Sequence, residues 1–270
     1  MLQPLDCDNG VRVYVSPLLR NAGVPHGFST RIGGVSEGPF RSLNLGNPSG
    51  QAQQDSTEHL TENYRRLHQA IGCEDRTRVF AHQVHGACVL DPAISPATDS
   101  MHGGTEVGRG DAIVSGDATK LLSIRVADCV PVLLADQSGR RVAAIHAGWR
   151  GVVLGAAIET LRHFYNPAHV LAAIGPSISL EQFEVSGDVL VEFQHRFGAD
   201  TPYRQSPKGA SKAHIDLREA LRIQLNRAGV PVSQIDMTDR CTVTHGDEFF
   251  SHRRENGLTG RMAAVIGAVR

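Results

Sequence analysis

The sequence has 270 residues, 41% of them apolar, enough for one domain to bury a full core. With 27 Lys and Arg against 28 Asp and Glu the formal charge is −1, so no overall field draws the chain to nucleic acid or a membrane surface, and small-molecule partners are favoured. Five cysteines, odd in number and free of any C-x-x-C pair, argue against a disulfide framework or a zinc ribbon and fit a reducing cytosol.

In chain order, Met1 to Pro17 lacks a basic region followed by an apolar one, so no secretory leader is expected and the chain reads as cytoplasmic. Val11 to Val15 carries a strand signal. Gly33 to Gln54, rich in Gly, Ser, Asn and Pro, reads as a long loop. Ser56 to Ile71 places Leu60, Tyr64, Leu67 and Ile71 on one helical stripe. Strands are expected at Val79 to Gln83 and Ala87 to Leu90, then a second long loop from Pro92 to Arg109. Further strands follow at Ala112 to Ser115, Leu121 to Ala127, Val130 to Ala135 and Val142 to Ala147. The last two flank Gln137-Ser138-Gly139-Arg140, turn chemistry that suits a hairpin. A helix is expected after Gly151, a strand at Val170 to Ile174, and helices at Asp188 to Phe197 and Asp216 to Ala228, the last through Leu217, Leu221 and Leu225. Apolar runs such as Val130 to Ala135 and Met262 to Val269 fall far short of the ~20 residues of a membrane helix and are core segments. Irregular alternation with a hairpin gives mixed α/β layers and disfavours a purely parallel, doubly wound sheet.

The stretch from Arg125-Val126-Ala127-Asp128-Cys129-Val130-Pro131 to His146-Ala147-Gly148-Trp149-Arg150-Gly151 joins an acid, a thiol and an imidazole to that hairpin. Its antiparallel return brings Cys129 and His146 to one end of the sheet. His85, in Gln83-Val84-His85-Gly86, sits where a strand runs into a turn. Two imidazoles and one thiolate form a borderline-soft ligand set suited to zinc, with a fourth position left for water or substrate. Each residue also has a plainer reading, the Cys as a small buried hydrophobe and each His as a packing residue. A metal-free Cys129 and His146 nucleophile pair, its imidazole oriented by Asp128 or another acid, is a third. His82, at an odd offset from His85, is expected on the opposite face of its strand and outside the ligand set.

These residues resemble the YfiH-type, laccase-domain family. The resemblance is carried by Thr30-Arg31-Ile32-Gly33-Gly34-Val35-Ser36, Ser42-Leu43-Asn44-Leu45-Gly46, Gln83-Val84-His85-Gly86, Ala127-Asp128-Cys129-Val130-Pro131-Val132 and His146-Ala147-Gly148-Trp149-Arg150-Gly151. It continues through Gly175-Pro176, Phe183-Glu184-Val185 and Phe249-Phe250-Ser251-His252-Arg253-Arg254 to Thr259-Gly260-Arg261-Met262-Ala263. It implies a single α/β domain over residues 1–270, with mixed sheets as the β-sandwich-like core of an α-β-β-α layering, and zinc on His85, Cys129 and His146. It further implies phosphorolysis of adenosine, inosine and methylthioadenosine and deamination of adenosine. Cys129, His146 and Asp128 are the candidate catalytic groups, Asp128, beside Cys129, as an acid that orients an imidazole or protonates a leaving base, or else as a strand-end cap or turn residue.

Phosphate has to be held beside the sugar by cationic donors, and Arg31, Arg65 and Arg66 are the candidates. Asn44 is a candidate for a ribose or purine edge, or else a turn-stabilising residue. Asp111 reads as an orienting acid or as a strand-end cap. Arg125 is a charge in an otherwise apolar strand and must reach water or a carboxylate. The competing functions are hydrolysis of a wrongly built cell-wall precursor, which some family members are described as performing, copper-dependent phenol oxidation, and binding without turnover. Copper oxidation is disfavoured because none of the 13 His forms a His-x-His pair.

Overall fold

Side-chain alternation along the central strands sets the layering. In the strand Val130–Asp136, Val130, Val132 and Leu134 turn to one face and Leu133 and Ala135 to the other. The neighbouring strands keep this parity: Ala143, Ile145 and Ala147 oppose Val142 and Ala144, and Ala172 and Ile174 oppose Leu171 and Ala173. Both faces are apolar, so both must be covered, one by a second sheet and one by helices.

The computed structural model describes residues 1–95, 98–99, 103–209 and 211–270. Among these, one sheet of eight strands runs in the order Gln3–Asp6, Arg12–Val15, His26–Ser29, Met262–Ile266, Lys120–Val126, Thr77–His82, Gly104–Arg109 and Thr98–Asp99. A second, of six, runs Ile235–Met237, Val170–Ile174, Val130–Asp136, Val142–Ala147, Ala112–Ser115 and Val89–Leu90. Both mix parallel and antiparallel pairs. They share one core, in which Phe28, Ile124, Met262 and Ala264 of the first meet Leu133, Ala144 and Ala173 of the second. The outer face of the first sheet is covered by the helix Thr57–Ala70, whose Tyr64 and Leu67 meet Val13, Leu121 and Val265. Ser56 caps that helix, its Oγ accepting from the His59 amide at 3.1 Å. The helices Trp149–Leu154, Ala156–Leu161, Gly187–Phe197 and Leu217–Arg227 cover the outer face of the second sheet. The architecture is therefore α-β-β-α, as the mixed reading expects. Among the described residues no helix is long and apolar enough to cross a membrane.

One expectation changes and another is sharpened. The Pro92 to Arg109 loop contains the strand Gly104–Arg109, which escapes the periodicity because Val107 is its one fully buried side chain; residues 96–97 and 100–102 of that stretch lie outside the described ones. The apolar run beginning at Met262 proves to be a central strand between His26–Ser29 and Lys120–Val126, so the C-terminal segment closes the sheet begun near the N-terminus.

Leu133 is fully buried between the sheets. Leu133→Ala should lower the unfolding free energy by about 3 kcal/mol, read as a fall in the denaturant midpoint at unchanged slope. A loss too small to measure would contradict a close-packed interface between the sheets.

Candidate metal centre

The hairpin register pairs Pro131 with His146 and Val130 with Ala147, so Cys129, one residue before the ladder, lies beside the chain as it leaves Ala147 for Gly148. His85 approaches from the turn that follows the strand Thr77–His82. The ligand atoms of His85, Cys129 and His146 all lie within 4.8 Å of one another, and burial grades from exposed His85 through half-buried Cys129 to buried His146. The two imidazoles stand edge to face, with centroids 4.8 Å apart and planes at 81°. Gly148 leaves the space: a Cβ there would stand 3.0 Å from His85 Cδ2 and 3.1 Å from Cys129 Sγ. Its φ of −69° is open to any residue, so glycine is needed here for room and not for backbone freedom.

Asp111 ties the cluster together. Ala112 pairs with Ile145, which sets Asp111 beside His146, and the His146 amide donates to the Asp111 carbonyl at 2.7 Å. Asp111 Oδ1 takes His146 Nδ1–H at 2.8 Å and the His85 amide at 2.9 Å; Oδ2 takes the amides of Gly86 at 2.7 Å and Val84 at 3.2 Å. The carboxylate thus fixes the imidazole with Nε2 as its outward atom and at the same time pins the turn bearing His85. That turn needs pinning, since His85 adopts a left-handed φ of 60°. Burial works against the Asp111 charge, but His146 and the amides outweigh it and hold its pKa below the usual carboxylate value.

Asp128, expected as a catalytic acid, lines the cavity bordered by the cluster, with its carboxylate bonded to neighbouring loops. Its φ is 86°, its Oδ1 accepts from Thr242 Oγ1 at 2.6 Å, its Oδ2 from the Arg253 amide at 2.7 Å, and its carbonyl from the Ile178 amide at 3.0 Å. It gathers three loops behind Cys129, and the acid hydrogen-bonded to His146 is Asp111.

The three candidate ligands border a cavity of about 460 Å³. Its lining combines the apolar Ile178, Phe183, Leu217 and Trp149 with the cationic Arg125, Arg150, Arg253 and Arg261 and with His82 and His252; Arg150 lies over Trp149 at 4.4 Å and Arg253 over Phe183 at 5.8 Å. His82 lines the cavity although strand alternation assigns it elsewhere, because the strand ends there with a register irregularity between Phe80 and His82. The expected substrate residues stand apart from this lining. Arg31 donates from Nε to the Arg41 carbonyl at 2.8 Å and from Nη1 to that of Gly246 at 3.1 Å, and stacks on Phe250. Arg65 and Arg66 share Glu62 on their helix, at 2.7 and 2.8 Å. Asn44 is fully buried, its Oδ1 taking the amides of Gly46 at 3.1 Å and Arg261 at 2.8 Å. The cationic residues that do face the cavity lay outside the candidates for phosphate, although Arg125 had a signal, a charge within an apolar strand.

Burial alone would push the Cys129 thiol up, but the His146 charge and hydrogen bonds from His146 and His85 prevail and lower its pKa to about 6. Burial likewise opposes a charge on His146, yet the thiolate and Asp111 raise its pKa to about 9. Without metal, a thiolate–imidazolium pair therefore spans the window between those values. Iodoacetamide labelling of Cys129 in the metal-free chain should rise through about pH 6 and then level off, whereas an unperturbed thiol would rise near 9. In His146→Ala the inflection should move upward past neutrality. An inflection near pH 9 in the unsubstituted chain would show that the thiol is not charge-paired.

Comparison with known proteins agrees with this architecture. The family model described as multi-copper polyphenol oxidoreductase laccase matches residues 25–269. A protein of Deinococcus radiodurans named purine nucleoside phosphorylase is 38% identical over 260 residues, covering 94% of each chain. Purine nucleoside phosphorylase YfiH of Escherichia coli K12 is 39% identical over 246 residues, 90% of this chain and 93% of its own. The crystal structure of YlmD from Geobacillus stearothermophilus superposes with a TM-score of 0.83 at 33% identity over 97% of both chains. The Bacillus licheniformis hypothetical protein YfiH gives 0.84 at 29%, over 98% of this chain and 99% of that one. By sequence and by fold alike, the chain belongs to the laccase-domain family that includes the YfiH and YlmD proteins.

Proposed function

We propose that the chain is a zinc-dependent purine nucleoside phosphorylase that converts adenosine, inosine or methylthioadenosine and phosphate to free base and sugar 1-phosphate, with an accompanying adenosine deaminase activity. The observation that carries this reading is the convergence of His85, Cys129 and His146 on one point at the border of a cavity, with Asp111 behind them. The names of the relatives support the phosphorylase. The donor chemistry supports the metal, because two imidazoles and a low-pKa thiolate suit zinc and Gly148 leaves the space between ligands clear. Among the described residues this is one cluster, which favours a single ion over the several coppers of a multicopper oxidase.

Phosphorolysis breaks the bond from sugar C1′ to the base nitrogen, forms one from C1′ to a phosphate oxygen, and returns a proton to the departing base. Zinc, when bound, supplies a Lewis acid that can polarise an oxygen or acidify water. The protein groups position and shield. A cavity of about 460 Å³ lies in the usual range for small ligands, and its wall of Ile178, Phe183 and Leu217 can take the flat face of a purine away from water. Asp111 keeps a proton of His146 on Nδ1, so Nε2 points toward Cys129 and His85 and would offer its lone pair to a metal held there. The cationic residues of the lining would also suit an anionic cell-wall precursor, and the assay must include one.

The zinc-loaded protein should convert inosine and phosphate to hypoxanthine and ribose 1-phosphate in equal amounts, and release ammonia from adenosine without phosphate. A chelator should stop both and added zinc restore them, while Cys129→Ala should fall at least ~100-fold together with its metal content. Amino-acid release from a nucleotide-linked muramic precursor, with nucleosides untouched, would refute this reading in favour of cell-wall editing. Asp111→Asn should fold normally but bind zinc about 10–100-fold more weakly, as measured by competition with a chromogenic chelator.

A further inference from the structure

Arg125 and Arg261 are neighbours across the first sheet. Arg125 pairs with Ala263, so Arg261, two residues earlier, is its diagonal partner at the strand end. Their stems converge on Gly46, where a Cβ would stand 2.7 Å from Arg125 Cδ and 3.5 Å from Arg261 Cγ. Asn44 holds that segment in place by accepting both the Gly46 and Arg261 amides, and the Leu45 amide donates to the Arg261 carbonyl at 2.9 Å. The buried Asn44 thus builds this corner from below.

Among the described residues neither guanidinium has a carboxylate at ion-pair distance. Arg125 lies over Phe80 with its Cζ 5.7 Å from the ring centroid, and Arg261 Nη1 donates only to the carbonyls of Thr259 at 2.9 Å and Gly260 at 3.0 Å. The nearby carboxylates are engaged elsewhere, Asp128 by Thr242 and the Arg253 amide, Glu255 by Arg254, Thr259 and the Ser251 amide. Burial, and then the charge of Arg125, lower the pKa of Arg261, against the opposing charges of Asp128, Cys129 and Glu255. Those anions act without a direct ion pair, so two like charges held side by side still favour an anion that can contact both. Both line the cavity that His85, Cys129 and His146 border.

We propose that Arg125 and Arg261 form the seat of the phosphate co-substrate, built by the Asn44–Gly46 segment, and that this seat takes the place of the Arg31, Arg65 and Arg66 expected from sequence. The choice of phosphate rests on the phosphorolysis reading; the anion site itself rests on the geometry. Paired guanidinium groups match a tetrahedral dianion, and Ile178, Phe183 and Leu217 of the same lining offer the nucleoside an apolar surface.

The test is calorimetric titration of inorganic phosphate into the zinc-loaded protein, with steady-state kinetics on inosine. Arg125→Met and Arg261→Met should each raise the Kd and the KM for phosphate at least about tenfold, with the KM for inosine within about twofold, and the double variant should lose saturable phosphate binding. Arg125→Lys and Arg261→Lys should fall between, since they keep charge and lose the fork. Arg65→Gln, on the outer helix, should behave as the parent. Gly46→Ala retains both guanidinium groups but displaces the Arg125 stem, so it should weaken phosphate in the same direction even if a methionine variant fails to fold. Phosphate binding unchanged in a folded double variant, or an equal rise in the KM for inosine, would overturn the seat. Phosphate binding that is lost in these variants, in a protein that never cleaves inosine, would uphold the seat and sink the phosphorylase.

Discussion

A single buried carboxylate couples the three parts of the candidate centre. Asp111 stands at the start of a short strand, beside His146 in the register, and its two oxygens collect one imidazole N–H and three backbone amides. Such charge-assisted bonds are each stronger than neutral ones, and together they outweigh the cost of burying the charge. They also hold His85 in a left-handed conformation that an unsupported chain would leave. Placement of the exposed ligand is thereby tied to placement of the buried one.

The rest of the fold supports that point from behind. The hairpin Val130–Asp136 and Val142–Ala147 is buried on both faces, so its register cannot slip by one residue without turning every side chain to the wrong layer. Cys129 and His146 inherit this rigidity, because they sit at the end of the ladder. Asp128 adds a second anchor by joining the loops of Ile178, Thr242 and Arg253. Loops that line the cavity are thus fastened to the end of a rigid hairpin, which suits a site that has to keep its geometry while substrates exchange.

The cavity joins apolar and cationic side chains. Ile178, Phe183, Leu217 and Trp149 share its lining with Arg125, Arg150, Arg253 and Arg261, and His85, Cys129 and His146 border it. Such a lining favours a ligand with both an apolar face and an anionic group, or two ligands bound together. It belongs to no one segment, since Arg125, Phe183 and Arg261 come from three distant stretches of chain.

The sequence by itself determined the α/β layering, the central hairpin and the grouping of Cys129 with His146, because strand period and turn chemistry are local properties that fix which residues share a face and an end. Several residue roles were decided only by the tertiary structure. Asp111 and Asp128 look alike as acids beside strands, and which of them meets His146 depends on the register of a strand whose partner lies about thirty residues away. Asn44, Arg31, Arg65 and Arg66 carry polar groups suited to a substrate, and packing gives those groups partners in the backbone, Asp55, Glu255 and Glu62, away from the cavity lining. Arg261 lies in the Thr259-Gly260-Arg261-Met262-Ala263 motif, which gives it no role by itself, and only closure of the sheet by the C-terminal strand brings it beside Arg125. Long-range pairing, which no local pattern encodes, decides which charges end up sharing one cavity.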